Sequence, residues 1–226
     1  MDKAIITGSS SGIGKAITVK LLELGWEVLG VSRTNKLETE NFTHISVDLS
    51  SNADTLKLLD KLKNYDAKLL LNCAGFGEFA PHEELSITTI TSMVQLNLTT
   101  PMMLSNMMLR TLKKNEGYLI NINSIEALRA SKFSGVYSAT KAGLKAFGDS
   151  LFEETRKSKL SITNINPDMT QSNFYDNLRF DVSEKEDEKL LASDIVEAIE
   201  HILKMRKGAV VSEYTIRSLS FGIKKR

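Results

Sequence analysis

A chain of 226 residues, 42% of them hydrophobic, can bury the core of one large α/β domain. Its 29 Lys and Arg against 28 Asp and Glu leave a net charge of +1, so no global field recruits nucleic acid or an anionic membrane. The single cysteine, Cys73, excludes an intramolecular disulfide, and no apolar run approaches the ~18 residues of a membrane span. A soluble, cytoplasmic protein without nucleic-acid or membrane partners is therefore expected, and Met1 is followed directly by a strand pattern instead of a leader.

Lys3-Ala4-Ile5-Ile6-Thr7 predicts a first strand, which stops at Gly8-Ser9-Ser10-Ser11-Gly12-Ile13-Gly14. A helix follows at once, with Ile13, Ala16, Ile17, Leu21 and Leu24 at helical spacing and Gly25 as its stop. In a strand, glycine loop, helix context the glycines let backbone N–H groups approach a pyrophosphate at the positive end of the helix. The spacing here is G-x-x-x-G-x-G, which differs from the G-x-G-x-x-G fingerprint. Residues 26–33 predict a second strand, ending in Ser32-Arg33. In dinucleotide folds an acidic residue at this end bonds the ribose 2'-hydroxyl and a basic one accommodates a 2'-phosphate. Arg33, with Thr34 and Lys36 as further donors, thus favours NADP over NAD.

A third strand is expected at 44–49 and a helix at 52–62 with Leu56, Leu59 and Leu62 inward. A fourth strand at 67–75 closes on Asn72-Cys73-Ala74-Gly75. Strands this apolar, each followed by a helix, indicate a parallel sheet covered on both faces. Helical patterns at 86–96 and 102–113 are separated by Pro101, which cannot sit in a helix interior without a kink or restart, so Asn97 falls at a backbone irregularity. The methionines at 102, 103, 107 and 108 are expected in core packing and a subunit contact. A fifth strand at 117–123 leads into Ser124, and a long helix from 136 to about Lys157 follows. Strand six is expected at 160–166, ended by Pro167-Asp168-Met169-Thr170. Residues 171–189 change character, with Phe174, Tyr175 and Phe180 before a charged run, and predict a mobile flap. A helix at 191–204, a seventh strand at 209–215 and a solvated basic tail, Lys224-Lys225-Arg226, complete the chain. The expected architecture is α/β, a Rossmann-type doubly wound, seven-stranded parallel sheet with helices on both faces, residues 1–226 forming a single NAD(P)-binding domain.

Tyr137 and Lys141 lie four apart on one face of the long helix, close enough for an ammonium to act on a phenol. An adjacent cation favours the ionised phenol, and each pH unit of lowering is worth about 1.36 kcal/mol. Such a pair arises by chance in roughly half of chains with this composition, and only its company gives it meaning. His44, His82 and His201 lack the spacing of a metal site, so no metal is expected. There is neither a Walker lysine nor a serine-hydrolase elbow.

Taken together, these motifs resemble a short-chain dehydrogenase/reductase of the compact, single-domain branch, over nearly the whole chain. Thr7 to Gly14 matches that family's cofactor loop, with Gly8, Ser10, Ser11, Gly12, Ile13 and Gly14 as binding positions. Asp48-Leu49 matches its adenine-contact strand end, and Asn72, Ala74 and Gly75 its strand-four motif. Asn97, Ser124, Tyr137 and Lys141 match its catalytic Asn, Ser, Tyr and Lys. Pro167 and Thr170 match its loop after strand six. Two positions depart from the pattern: Cys73 replaces a usual Asn, and Asp168 a usual Gly beside the nicotinamide. The resemblance implies NADP(H), with NAD(H) as the alternative, and reduction of a small-molecule ketone or aldehyde. Ser124 would bond the carbonyl oxygen, Tyr137 protonate it, Lys141 lower the Tyr137 pKa and hold the ribose, and Asn97 position a water.

A homodimer or homotetramer is likewise implied. Arg129 and Lys132 leave open a 3-oxoacyl thioester reductase whose carrier docks there, while Phe76, Phe79, Phe174, Tyr175 and Phe180 suggest an apolar pocket. A reading of another class is a non-catalytic NADP-binding sensor or scaffold.

Overall fold

A computed structural model describes residues 1–35 and 37–226. Seven strands, β1 (Lys3–Thr7), β2 (Glu27–Ser32), β3 (Phe42–Ser46), β4 (Leu69–Asn72), β5 (Tyr118–Ile122), β6 (Ser161–Pro167) and β8 (Glu213–Ile216), form one sheet. All pair in parallel, in the order β3-β2-β1-β4-β5-β6-β8. The chain moves outward in one direction from β1 and in the other from β4, so the strand order reverses between these two neighbours. Loops leaving the carboxyl ends of strands diverge at such a point and leave a crevice.

Both faces of the sheet are covered, which is why β1, β2 and β4 read as nearly unbroken apolar runs. Helices α1 (Gly12–Glu23) and α6 (Ala192–Lys204) pack on one face, with Ile17, Leu21, Ile195 and Ile199 against Ile6, Leu71 and Ile120. Helices α2 (Asn52–Leu62), α4 (Thr100–Lys114) and α5 (Gly135–Thr155) cover the other, burying Leu58, Leu104, Met108 and Leu151 against Ile5, Leu70 and Leu119. In α2 the inward face is Thr55, Leu58 and Leu62, and the expected inward Leu56 is half exposed. Those three positions are spaced three and four apart and share a stripe that Leu56 does not join.

Between α3 (Ile87–Val94) and α4 the backbone widens into a π turn at Gln95–Thr99, and Pro101, which has no N–H to give the helix, follows directly in the first turn of α4. Asn97 is fully buried in that turn. The last sheet strand starts at Glu213, later than the sequence pattern suggests.

Two short strands were not legible in advance. β7 (Phe180–Val182) lies within the expected flap and pairs antiparallel with β9 (Ile223–Lys225). The basic tail is therefore not simply solvated: Arg226 donates to the carbonyls of Tyr175 and Asp176 at 2.9 Å and pairs with Asp181, while Lys224 pairs with Glu184. Tyr175, Leu178 and Val182 form a small separate core beneath it, joined by Phe79, Phe174 and Phe180. Among the described residues no helix is long and apolar enough to cross a membrane.

Candidate active site

At the reversal point, Gly8 (φ +74) and Gly12 (φ +50) take left-handed backbone that other residues adopt only with strain. A Cβ on Gly14 would fall against the Gly8 carbonyl oxygen, so only glycine lets the start of α1 close onto this loop. Thr7 Oγ1 accepts the N–H groups of Cys73 (2.9 Å) and Ala74 (3.1 Å), which ties the loop after β1 to the end of β4. A Cβ on Gly75 would stand 3.2 Å from Asn97 Oδ1 and 3.4 Å from Lys141 Nζ, so the bare backbone here lets three segments meet.

Asn97 uses the π turn to face this junction. Its Nδ2 donates to the Phe76 carbonyl (2.8 Å) and to Thr140 Oγ1 (3.2 Å), and its Oδ1 accepts from Phe76 N–H (3.1 Å). The side chain thus clamps the segment after β4 to α5, three residues beyond Tyr137. Lys141 Nζ, one helical turn on from Tyr137, donates to the Ile122 carbonyl at the end of β5 (2.9 Å) and stands 5.8 Å from the Tyr137 ring centre. Ser124 accepts the Glu126 N–H at 3.1 Å, capping the helical turn Ile125–Ala127.

Burial governs the charges. The Tyr137 phenol is pushed up to about 12 by burial, against the pull of the Ser124 hydroxyl and with a further push from the Glu126 carboxylate. Burial also brings Lys141 down from 10.5 to about 8 and raises the Cys73 thiol to about 12. The expected lowering of the Tyr137 pKa by Lys141 is therefore not what this structure holds. The ammonium is aimed at the Ile122 carbonyl, and burial is the largest influence on the phenol. Phe79 and Phe174 cover the phenol, with ring centres 5.3 and 5.7 Å from it, and Phe180 stacks edge-on to Phe79 at 5.2 Å.

One cavity of about 910 Å³ brings together Ser124, Tyr137 and Lys141 with the cofactor-loop residues Gly8, Ser11, Gly12, Ile13 and Gly14. Arg33, Ala74, Gly75, Pro167 and Thr170 line it as well. Ser10, Asp48, Leu49, Asn72 and Asn97 do not. Asp48 shares a separate depression with Arg33 and accepts two hydrogen bonds from Ser50. Leu49 is buried, and its carbonyl accepts from Thr100. Asn72 lies in the sheet interior and donates to Asn121 at 2.9 Å. Lys36, suggested as a donor beside Arg33, lies outside the described residues.

Two buried carboxylates line the cavity: Asp168, which the sequence marks as a departure beside the nicotinamide, and Glu126, which sequence reasoning missed. Asp168 is buried, accepts the Met169 N–H (3.0 Å) and pairs with Arg217 (3.3 Å) from the loop after β8. Glu126 is buried and holds three serines and Arg129. Its only sequence signal is a run of serines at 131, 134 and 138.

The residues present suit a dinucleotide. A bare-backbone loop opens at the start of α1, Arg33 stands on the same cavity, and Asn123 Oδ1 is buried without a hydrogen-bond partner among the described residues. A family model for short chain dehydrogenases matches residues 2–183. The chain belongs to the short-chain dehydrogenase family. As a family member it is an oxidoreductase that uses NAD or NADP.

An uncharacterized oxidoreductase of Staphylococcus epidermidis is 28% identical over 226 residues, covering 95% of this chain and 96% of that protein. A similar oxidoreductase of Staphylococcus aureus is 28% identical over 225 residues, covering 95% and 96%. Among solved structures, an alcohol dehydrogenase from the archaeon Thermococcus sibiricus, complexed with 5-hydroxy-NADP, superimposes with a TM-score of 0.86 at 24% identity, covering 97% of each chain. A 4-hydroxyisoleucine dehydrogenase complexed with NADH gives a TM-score of 0.85 at 22% identity, covering 96% of this chain and 98% of that one. At these identities the structural likeness concerns the fold.

Proposed function

We propose that this short-chain dehydrogenase reduces a ketone or aldehyde to an alcohol with NADPH. The observation that carries the reading is a buried phenol at Tyr137, set with Ser124 and Lys141 on the cavity into which the glycine loop opens. When bound, the reduced nicotinamide supplies the hydride that the carbonyl carbon needs.

The chain's own residues do the rest. Gly8 to Gly14 hold the pyrophosphate on backbone N–H groups, and Arg33 accepts the 2'-phosphate, since β2 ends without a carboxylate. Ser124 donates to the substrate oxygen and so stabilises the charge that develops there. Tyr137 gives that oxygen its proton, and a phenol held at about 12 is well placed to keep the proton until an alkoxide forms. Lys141, near 8, exchanges protons easily at neutral pH and can refill the phenol. Asn97 acts by holding the segment after β4 against α5, through Phe76 and Thr140. The aromatic cover of Phe79, Phe174 and Phe180 excludes water and favours an apolar substituent on the carbonyl.

On this reading residues 1–226 work as one domain, in the cytoplasm, with 171–189 moving as a flap to admit substrate. A homodimer or homotetramer rests on the family resemblance, and light scattering that found a monomer at micromolar concentration would refute it. Docking of an acidic carrier is weakened, because Arg129 is already engaged by Glu126 at 3.0 Å. Initial rates of NADPH and NADH oxidation over a panel of ketones, diketones and oxoacyl thioesters test the proposal. Faster NADPH oxidation with apolar ketones is expected, and no carbonyl-dependent oxidation of either cofactor would refute it.

A further inference from the structure

Glu126 is the second residue after Ser124, only 8% exposed, and its carboxylate lines the cavity. A buried carboxylate in such a place would ordinarily suggest a ligand contact, but this one is already engaged by the chain's own donors. Oε1 accepts from Ser131 Oγ (2.7 Å) and Arg129 Nε (3.0 Å), and Oε2 from Ser134 Oγ (3.0 Å) and Ser138 Oγ (3.0 Å). Ser131 and Arg129 fill Oε1, while Ser134 and Ser138, 2.7 Å apart, share their two protons between Oε2, each other and the Ser131 carbonyl.

The donors come from both ends of one connection. Ser131 and Ser134 belong to the loop that leaves Ser124, and Ser138 is the residue after Tyr137 in α5. Ser124 is joined to the same network by accepting the Glu126 N–H. Between Ser131 and Ser134 the loop holds Phe133 at φ +67, a left-handed conformation that is strained for an aromatic residue and persists only when its neighbours are fixed.

We propose that Glu126 is a positioning residue: its carboxylate fixes the Ser124-to-Tyr137 connection as one piece and sets a negative charge beside the phenol. The inference rests on the proposed role of Tyr137 as proton donor.

The groups facing Tyr137 are Ser124 from the end of β5, Glu126 from the connection, Lys141 from α5 and Tyr175 from the segment after β6. Cys73 faces Lys141, Asp168 faces Tyr175, and Arg129 partly offsets Glu126. Of the ionised groups in direct reach of the phenol, Glu126 opposes its ionisation and reinforces what burial already does. Burial also acts against the Glu126 charge itself, but Ser131, Arg129, Ser134 and Ser138 together outweigh it and hold that carboxyl below its ordinary range. The charge is therefore present throughout the neutral range.

The test places a fluorotyrosine at position 137, whose lower intrinsic pKa brings the titration into a range where the fold persists, and follows it by fluorine NMR. Glu126→Gln should move that titration down by about one pH unit, because a repelling charge is gone while Arg129 remains. Glu126→Asp should return it towards the unsubstituted value. With the natural tyrosine, Glu126→Gln should lower kcat more than tenfold while NADPH affinity, read by cofactor fluorescence, changes by less than about twofold. An unshifted fluorotyrosine titration in Glu126→Gln would overturn the inference. Should Glu126→Gln fail to fold, Ser131→Ala with Ser138→Ala loosens the tie and keeps the charge: kcat should fall with no shift in titration, and an unchanged kcat would overturn it. Because the NMR titration needs no substrate, a shift in a protein that reduces no carbonyl would support the inference and refute the proposed activity.

Discussion

Lys141→Met should make the protein more stable at neutral pH while removing its activity. Lys141 is 4% exposed, and burial lowers its pKa from 10.5 to about 8. Between those two values the unfolded chain holds a proton that the folded chain has released, so stability rises with pH across this window. Below about pH 8 the folded protein carries the whole penalty of a buried ammonium, about 3 kcal/mol from the gap between the two values. Methionine fills the same space without charge, but it leaves the Ile122 carbonyl without its donor, which costs about 1–3 kcal/mol. The net gain at pH 7 is about 1 kcal/mol. Towards pH 10 the native lysine is neutral and still bonds Ile122, so the advantage passes to the wild type, a swing of about 2 kcal/mol. Urea unfolding of both proteins at pH 7 and pH 10 measures the difference directly, and tyrosine ionisation cancels in the comparison. A difference that stays constant with pH would show that the ammonium is not buried as described. Turnover in Lys141→Met should fall by about a hundredfold or more, the expected trade of stability for a reactive site.

Arg33→Asp should raise KM for NADPH by about tenfold or more through loss of a charge-assisted contact, and lower it for NADH; unchanged selectivity would refute the 2'-phosphate assignment. Gly14→Ala forces a Cβ against the Gly8 carbonyl oxygen, a backbone atom that cannot step aside. NADPH affinity should drop by an order of magnitude and the melting temperature should fall with it, since overpacking costs about 1–3 kcal/mol. Removing residues 220–226 deletes β9 and the Arg226 and Lys224 contacts to 175–184. Limited proteolysis within 171–189 should then accelerate and KM for the carbonyl should rise, while the main sheet melts nearly as before. An unchanged cleavage pattern would mean that the tail does not restrain this segment.

The sheet was legible because parallel strands buried on both faces must be short apolar runs, and helices between them must show a stripe. Gly8, Gly12 and Gly14 were legible for a similar reason: positive φ and close backbone approach admit little else. Pro101 signalled the irregularity that buries Asn97, though a π turn in place of a kink could not be told from the residue alone. Leu56 and Leu58 differ only by where a helical stripe is centred, which the sheet decides and local spacing does not.

The pairing of β7 with β9 joins three-residue segments some forty positions apart, too short for an alternation to register. The charges of the site were the least legible. A Tyr and Lys four apart suggest attraction, but the sign of each shift follows from burial by Phe79, Phe174 and the sheet end, which exists only once the chain has folded. Glu126 was hidden for the same reason, since four scattered donors converge on it only in three dimensions.

The most direct measurement compares wild type and Tyr137→Phe for NADPH affinity, by fluorescence titration, and for ketone-dependent NADPH oxidation at pH 7. Phenylalanine keeps the ring against Phe79 and Phe174 and removes only the hydroxyl. Affinity should hold within a few-fold while turnover falls by about a hundredfold or more, the size of one positioned proton donor. Turnover that survives the loss of the hydroxyl would contradict the role given to this phenol.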